Sequence, residues 1–287
     1  MFRSVFTLIT LFIQTCVFGS EVRISQLLAA NENPHYQNAG VAVSPAHLRF
    51  NVAPGESKTS KVTINNDTDR SGSFKLSFND FNMNGYGKSE FLKPGEGDHS
   101  LSKWINISPS FVELKPGEKK EVIVTVTIPA DDAAANKAAW CVLLVEQAEE
   151  RKTIDPGSNT DQISFGIIPT FAFGVFIYQN PPNVESNKVE ILDFDLVSSE
   201  TEKSLSIHVE NIGDGITYCN IYVEVTNLKT GESEKVAVKT FTIVPGLKRE
   251  FNFPLPEKYM TGSYSAVSVL DFGSTEELQA AELEFNL

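Results

Sequence analysis

The sequence predicts an all-β protein: two tandem immunoglobulin-like antiparallel β-sandwiches after a cleaved signal peptide. Three observations predict it. Apolar and polar residues alternate in short runs along most of the chain, the period of a half-buried strand. Turn residues punctuate those runs at the spacing of a sandwich. Helical periodicity is almost absent, which argues against crossover helices and a parallel sheet. The 287 residues suffice for two domains with cores of their own, and 41% hydrophobic with 21% charged residues excludes wholesale disorder.

The first residues, MFRSVFTLITLFIQTCVFGS, hold Arg3, an apolar run from Val5 to Ile13 and small residues near the end. This is the pattern of a secretory signal over 1–19, cut after Gly19, and the run is short for a membrane span. Residues 20–40 read as a polar extension, 41–180 as the first sandwich and 181–287 as the second, with Pro181-Pro182 in the linker. No later run reaches eighteen apolar residues, so the mature chain is expected to be soluble outside the cytoplasm. Net charge is −13, and the leader carries one cation and no acid, so the mature chain is more acidic still. Such a surface repels nucleic acid and anionic membrane and favours basic or neutral protein partners. Cys141 and Cys219 sit in the strand patterns WCVLLV and YCNIYV and read as separately buried thiols, although export permits a disulfide.

In chain order, VAVSPAHLRFNVAPGE alternates Leu48, Phe50 and Val52; SKTSKVTINN turns Val62 and Ile64 inward; GSFKLSFNDF alternates Phe74, Leu76 and Phe78 before a hairpin turn at Asn84-Gly85. WINISPSFVELKPGE and KKEVIVTVTIP follow, joined at Pro116-Gly117, the second with Val122, Val124, Val126 and Ile128 on one face. A helical turn at DDAAANKAA precedes AWCVLLVEQ, and a polar loop leads to QISFGIIPTFAFGVFIY. That makes seven strands before residue 180. The second half repeats the style in KVEILDFDL, SLSIHVEN, TYCNIYVEVTNL, EKVAVKTFTIVPG, KREFNFPL, GSYSAVSVLDFG and LQAAELEFNL.

The segment from Gln162 to Tyr178 is the candidate functional element. Ile163, Phe165 and Ile167 share one face, and the alternation resumes after Pro169 with Phe171, Phe173, Val175 and Ile177. Pro169 has no backbone N–H, so the segment reads as an edge strand or a bulged one, not as the centre of a sheet. An apolar edge recruits another chain unless it is blunted. Ile163, Phe165, Ile167, Phe171 and Phe173 are therefore the candidate partner-binding side chains, for a foreign protein or for a second copy in a homo-oligomer. The competing reading is a buried last strand of the sandwich.

Signatures of catalysis and of cofactors are missing. No G-x-S-x-G, H-E-x-x-H, Walker loop or dinucleotide fingerprint occurs. His35, His47, His99 and His208 show no ligand spacing, and His208 alternates with Ile207 and Val209 as a solvent-facing strand residue. The expectation is a non-enzyme with no metal and no small-molecule cofactor. Asp67 to Gly72 begins like a calcium loop, but Phe78 stands where the bidentate glutamate belongs, so it reads as a turn. Asn66-Asp-Thr68 and Asn106-Ile-Ser108 match the glycosylation triplet. Arg49, pointing away from the core between Leu48 and Phe50, is the one charge suited to hold a carboxylate bidentately.

These fragments, over about residues 41–287, resemble the periplasmic pilus-chaperone (PapD-like) superfamily. SPAHLRFNVAPGE resembles its first strand, with Arg49 six residues before Gly55 where the family's cleft arginine falls. ISPSFVELKPGEKKEV resembles its fourth and fifth strands, and VLDFGSTEELQAAELEF its closing pair. The polar loop and QISFGIIPTFAFGVFIY resemble the loop and strand that donate alternating apolar side chains to an incomplete pilin. The resemblance implies an exported chaperone or assembly protein of the bacterial periplasm or cell envelope. Its partner would be a protein subunit of a surface structure, bound by strand addition. One departure is clear: the family's second carboxylate anchor, a lysine, would fall near Phe173, and no lysine or arginine occurs from Gln162 to Tyr178. The same fragments are similar to WxL-interacting surface proteins, which implies as the alternative an envelope module binding wall glycan or a neighbouring surface protein.

Overall fold

The computed structural model describes residues 40–148, 171–184, 187–199, 202–256, 258–259, 261–274 and 277–287. The expected leader, most of the extension, and Ile163, Phe165, Ile167 and Pro169 lie outside the described residues.

Ten strands make the first sandwich: β1 (Val41–Ser44), β2 (His47–Phe50), β3 (Ser57–Asn66), β4 (Gly72–Met83), β5 (Ser89–Leu92), β6 (Ile105–Ser108), β7 (Phe111–Leu114), β8 (Lys119–Thr127), β9 (Ala139–Ala148) and β10 (Ala172–Gln179). One sheet runs β1-β3-β8-β6, and the other β2-β10-β9-β4-β5 with β7 also on β4. The pairings are antiparallel except for β10 with β2. Seven strands were expected here, and the difference has a physical cause. Each of two expected strands is split at a proline, which supplies no N–H to a ladder. At Ser44–Pro45, a cis bond, the chain leaves β3 and joins β10; at Ser108–Pro109, also cis, it leaves β8 and joins β4. One stretch of sequence thus serves both sheets. The tenth strand, β5, returns from the Asn84 turn.

The second sandwich has the expected seven strands: β11 (Val189–Ser198), β12 (Lys203–Asn211), β13 (Thr217–Asn227), β14 (Ser233–Ile243), β15 (Lys248–Pro254), β16 (Ser263–Asp271) and β17 (Gln279–Asn286). They form the sheets β11-β12-β15 and β14-β13-β16-β17. Between β8 and β9 the helical turn is a short 3-10 helix, Ala133–Asn136, capped by Asp132, whose Oδ1 accepts from the Ala134 amide.

Alternation places the cores. Val62, Ile64, Val122, Val124, Val126 and Ile128 are fully buried in the first, and Leu205, Ile207, Ile221 and Val223 in the second. Cys141 belongs to the first core and Cys219 to the second, and both are free thiols. Burial, ahead of a nearby acid in each case, pushes Cys141 well above its ordinary value and Cys219 up to about 12.

Both sandwiches turn the same corner on a buried asparagine. Asn66 Nδ2 donates to the carbonyls of Arg70, Leu114 and Lys115, while its Oδ1 accepts from the Thr68 amide. Asn211 Nδ2 donates to the carbonyls of Gly215 and Ile243, and its Oδ1 accepts from the Gly213 amide. The backbone of each asparagine also brackets a Pro-Gly turn, with Gly117 and Glu118 around Asn66, and Gly246 and Leu247 around Asn211. The triplet at Asn66 is therefore no glycosylation acceptor, since its amide nitrogen is committed inside the fold.

The described residues of both sandwiches form one compact unit. A third apolar cluster seals the two sandwiches together: Phe81, Trp140, Val142 and Tyr178 from the first, Ile216 and Val244 from the second. Asn180 follows β10 and clamps the next sandwich through both ends of its amide, donating to the Ile216 carbonyl and accepting from the Ile216 amide at 2.8 Å each. The tip of the β4–β5 hairpin docks on β15, where the Glu250 amide donates to the Gly85 carbonyl.

Candidate functional site: an open strand edge beside a cationic cleft

Strand β10 has two unlike halves. Along its whole length it pairs with β9, and the Phe171 carbonyl accepts from the Gln147 amide. On the other side β2 pairs only Phe176 to Gln179. The Phe176 amide donates to the Ala46 carbonyl and the Asn180 amide to the Phe50 carbonyl, so even-numbered residues aim their backbone groups toward β2. By the same alternation Ala172 and Gly174 aim theirs at an edge that no strand pairs with among the described residues. This corrects the expectation of an edge strand: Phe176 to Gln179 is interior, and the open edge is confined to the half nearer Pro169. A side-chain rung extends the interior half. Gln179, fully buried, accepts from the Val52 amide and donates to the Val52 carbonyl.

Two of the five candidate partner-binding residues fall within the described structure. Phe173 is half-buried against the first core, in line with buried Val175 and Ile177, whereas Phe171 is 62% exposed at the foot of the open edge. Ile163, Phe165 and Ile167 fall outside it.

Edge β15 of the second sandwich provides the contrast. Two of its outward groups are occupied: the Glu250 amide by the Gly85 carbonyl, the Asn252 carbonyl by the Lys239 ammonium at 2.5 Å. Pro254, next in the outward series, has no N–H to offer. That edge is blunted in the ways sheets resist aggregation.

Arg49 stands on β2 opposite Tyr178, exposed, with its guanidinium 3.5 Å from the centre of the Tyr218 ring on β13. Burial, opposed by the Arg49 charge, pushes the Tyr218 hydroxyl up to about 12. Beside it lies a cleft of about 530 Å³ with His47, Phe176 and Tyr178 on one wall and Lys239, Phe241, Arg249, Glu250 and Phe251 on the other. Burial first and the neighbouring Arg49 second lower the pKa of His47. Burial first and Arg249 second lower that of Lys239. Neither Lys239 nor Arg249 was singled out from the sequence. On KVAVKTFTI and KREFNFP each looks like any outward strand residue, and only the packing of the two sandwiches turns them inward. His208 is the partly exposed strand residue expected, with Nε2 3.8 Å from Glu250 Oε2.

No protein-family model matches the chain, and no curated protein does. Solved structures do match. The chaperone–tip adhesin complex of CFA/I fimbriae biogenesis is 16% identical, covering 86% of this chain and 98% of that one at a TM-score of 0.43. The chaperone YadV is 12% identical, covering 86% and 99% at 0.42. The E. coli chaperone DraB is 16% identical, covering 85% and 96% at 0.42. These three likenesses are to solved chaperone structures, at 16% identity or less.

Proposed function

We propose that this is an exported, non-enzymatic chaperone-like or assembly protein that binds a subunit of a bacterial surface structure by β-strand addition along residues 162–178. It acts in the periplasm or at the cell envelope. The observation that carries this is the edge at Ala172 and Gly174, which no strand pairs with among the described residues, in a molecule that occupies outward groups of its β15 edge. An extended peptide docking there gains main-chain pairing for affinity and side-chain pockets for register. Ile163, Phe165 and Ile167 continue the donated face upstream, each contributing roughly 1.5–3 kcal/mol if fully buried in the partner. Three such anchors suffice for a useful complex after association costs.

The test is capture of the partner from the native envelope by the wild type and by Ile163→Asp/Phe165→Asp. The double variant is expected to keep the wild-type melting temperature and to lose the bound polypeptide. Undiminished capture by a folded double variant rules the mechanism out.

A further inference from the structure

Gly174 lies inside β10, on the stretch of its edge that no strand pairs with among the described residues. Glycine within a strand weakens it, having no side chain to pack. The backbone does not call for one here: unlike Gly55 or Gly117, Gly174 is not at positive φ. Nor does the fold forbid a side chain. Apart from its chain neighbours, a Cβ there would meet only Val142 Cγ2, at 3.3 Å, and the Phe176 ring, at 3.9 Å, and a shift of a few tenths of an ångström would admit it. The consequence is a notch in the outer face of the sheet. Even-numbered residues of β10 point to that face, as Phe173, Val175 and Ile177 point to the core. Across β9, half-buried Leu144 stands opposite Gly174, and along β10, half-buried Phe176 comes next on the same face. Bare backbone floors the space between them, open toward the unpaired edge. Two residues further along, the molecule completes the same row by itself: His47 of β2 stands opposite Phe176 and stacks its ring on Phe176 and Tyr178, with centroids 5.9 and 6.2 Å apart. Gly174 has no such counterpart, because β2 begins at His47.

From this arrangement we propose that the strand received at the β10 edge carries an aromatic residue opposite Gly174, its ring laid across the glycine backbone from Phe176 toward Leu144. Cross-strand neighbours share a face and stand about 4.5–5.5 Å apart, so that side chain meets the notch whether the added strand runs parallel or antiparallel. A ring fits the notch in three ways. It is flat enough to lie on backbone where a Cβ is missing, long enough to reach over the glycine to Leu144, and able to make an offset or edge contact with Phe176. A β-branched side chain ends above its own strand and leaves the floor bare. The inference rests on strand addition at this edge, and adds the side chain that the partner brings to it.

The experiment uses the full chain and two fluorescein-labelled nine-residue peptides, with lysine at each end and valine alternating with threonine between. They differ only at the centre, phenylalanine in one and valine in the other, both strong strand formers. Anisotropy is expected to show the phenylalanine peptide binding about fivefold tighter. Gly174→Thr fills the notch and brings the two peptides within about twofold of each other, at a melting temperature no lower than wild type. Where that variant melts lower, Gly174→Ala decides, with the preference cut at least to about half. Ala172→Pro weakens both peptides alike. Equal binding of the two peptides by the wild type, tighter binding of the valine peptide, or a preference that the Gly174 variants leave untouched overturns the proposal, while strand addition stands if Ala172→Pro still weakens binding. Binding of neither peptide, or binding that Ala172→Pro leaves unchanged, overturns strand addition at this edge and this inference with it.

Discussion

At the scale of the residue, Asn66 and Asn211 show how a buried amide outweighs its own cost. Each satisfies carbonyls that the strand ladder cannot reach, and removing the amide leaves those acceptors buried and unpaired. Asn66→Ala and Asn211→Ala are each expected to cost about 2 kcal/mol, read from the urea midpoint at constant slope. The thiols give a pH prediction. Cys219 titrates at about 12 in the fold against an ordinary value of 9.0, so its contribution is fully present below pH 9 and is lost as pH rises toward 12. Urea midpoints are expected to fall over that range, with a shallower fall in Cys219→Ala, and neither thiol should react with an aromatic disulfide until the chain unfolds. Separate burial of the thiols was legible because both lie in apolar alternating runs. The corners were not, because Asn at a strand end reads as an ordinary turn residue until the distant Pro-Gly turn packs on it.

At the scale of the element, the informative contrast is between β10 and β15. Period-two alternation tells which face a side chain takes, and it placed Leu48, Val122, Val124 and Ile207 correctly in the cores. It carries nothing about which strand lies alongside, which is why β10 read as an edge throughout when half of it is interior. Gln179, whose side-chain rung fixes the interior half, had no sequence signal. Ala172→Pro removes an outward N–H while leaving the odd-numbered bonds to β9 in place. Partner capture is expected to drop about tenfold, the equivalent of roughly 1.4 kcal/mol, with thermal stability within a few degrees of wild type; loss of fold instead would mean that edge is structural.

At the scale of the whole molecule, the junction decides what the chain can present. Gly87 is at φ +78, and a Cβ there would lie 1.9 Å from Arg249 Nη2. Gly87→Val therefore strains a positive-φ turn and displaces the Arg249 guanidinium that packs on it. A loss of about 1–3 kcal/mol is expected, read by calorimetry as a lower melting temperature. Asn180→Ala should act in the same direction by deleting the amide clamp on Ile216. The double-sandwich architecture was legible from alternation and turn spacing, but the cleft was not. Its two walls, β2 and β10 against β14 and β15, come from segments far apart in the chain, and their convergence follows from how Trp140, Tyr178, Ile216 and Val244 pack.

One residue of that packing makes the junction observable. Trp140 is nearly buried, stacks on the His99 ring with centroids 4.4 Å apart, and donates its indole N–H to the Phe81 carbonyl. It is one of two tryptophans in the chain. Prying the halves apart wets its indole while Trp104, packed against the first core, keeps its surroundings. A red shift in emission that precedes the loss of strand ellipticity would thus time the opening of the joint without any added label.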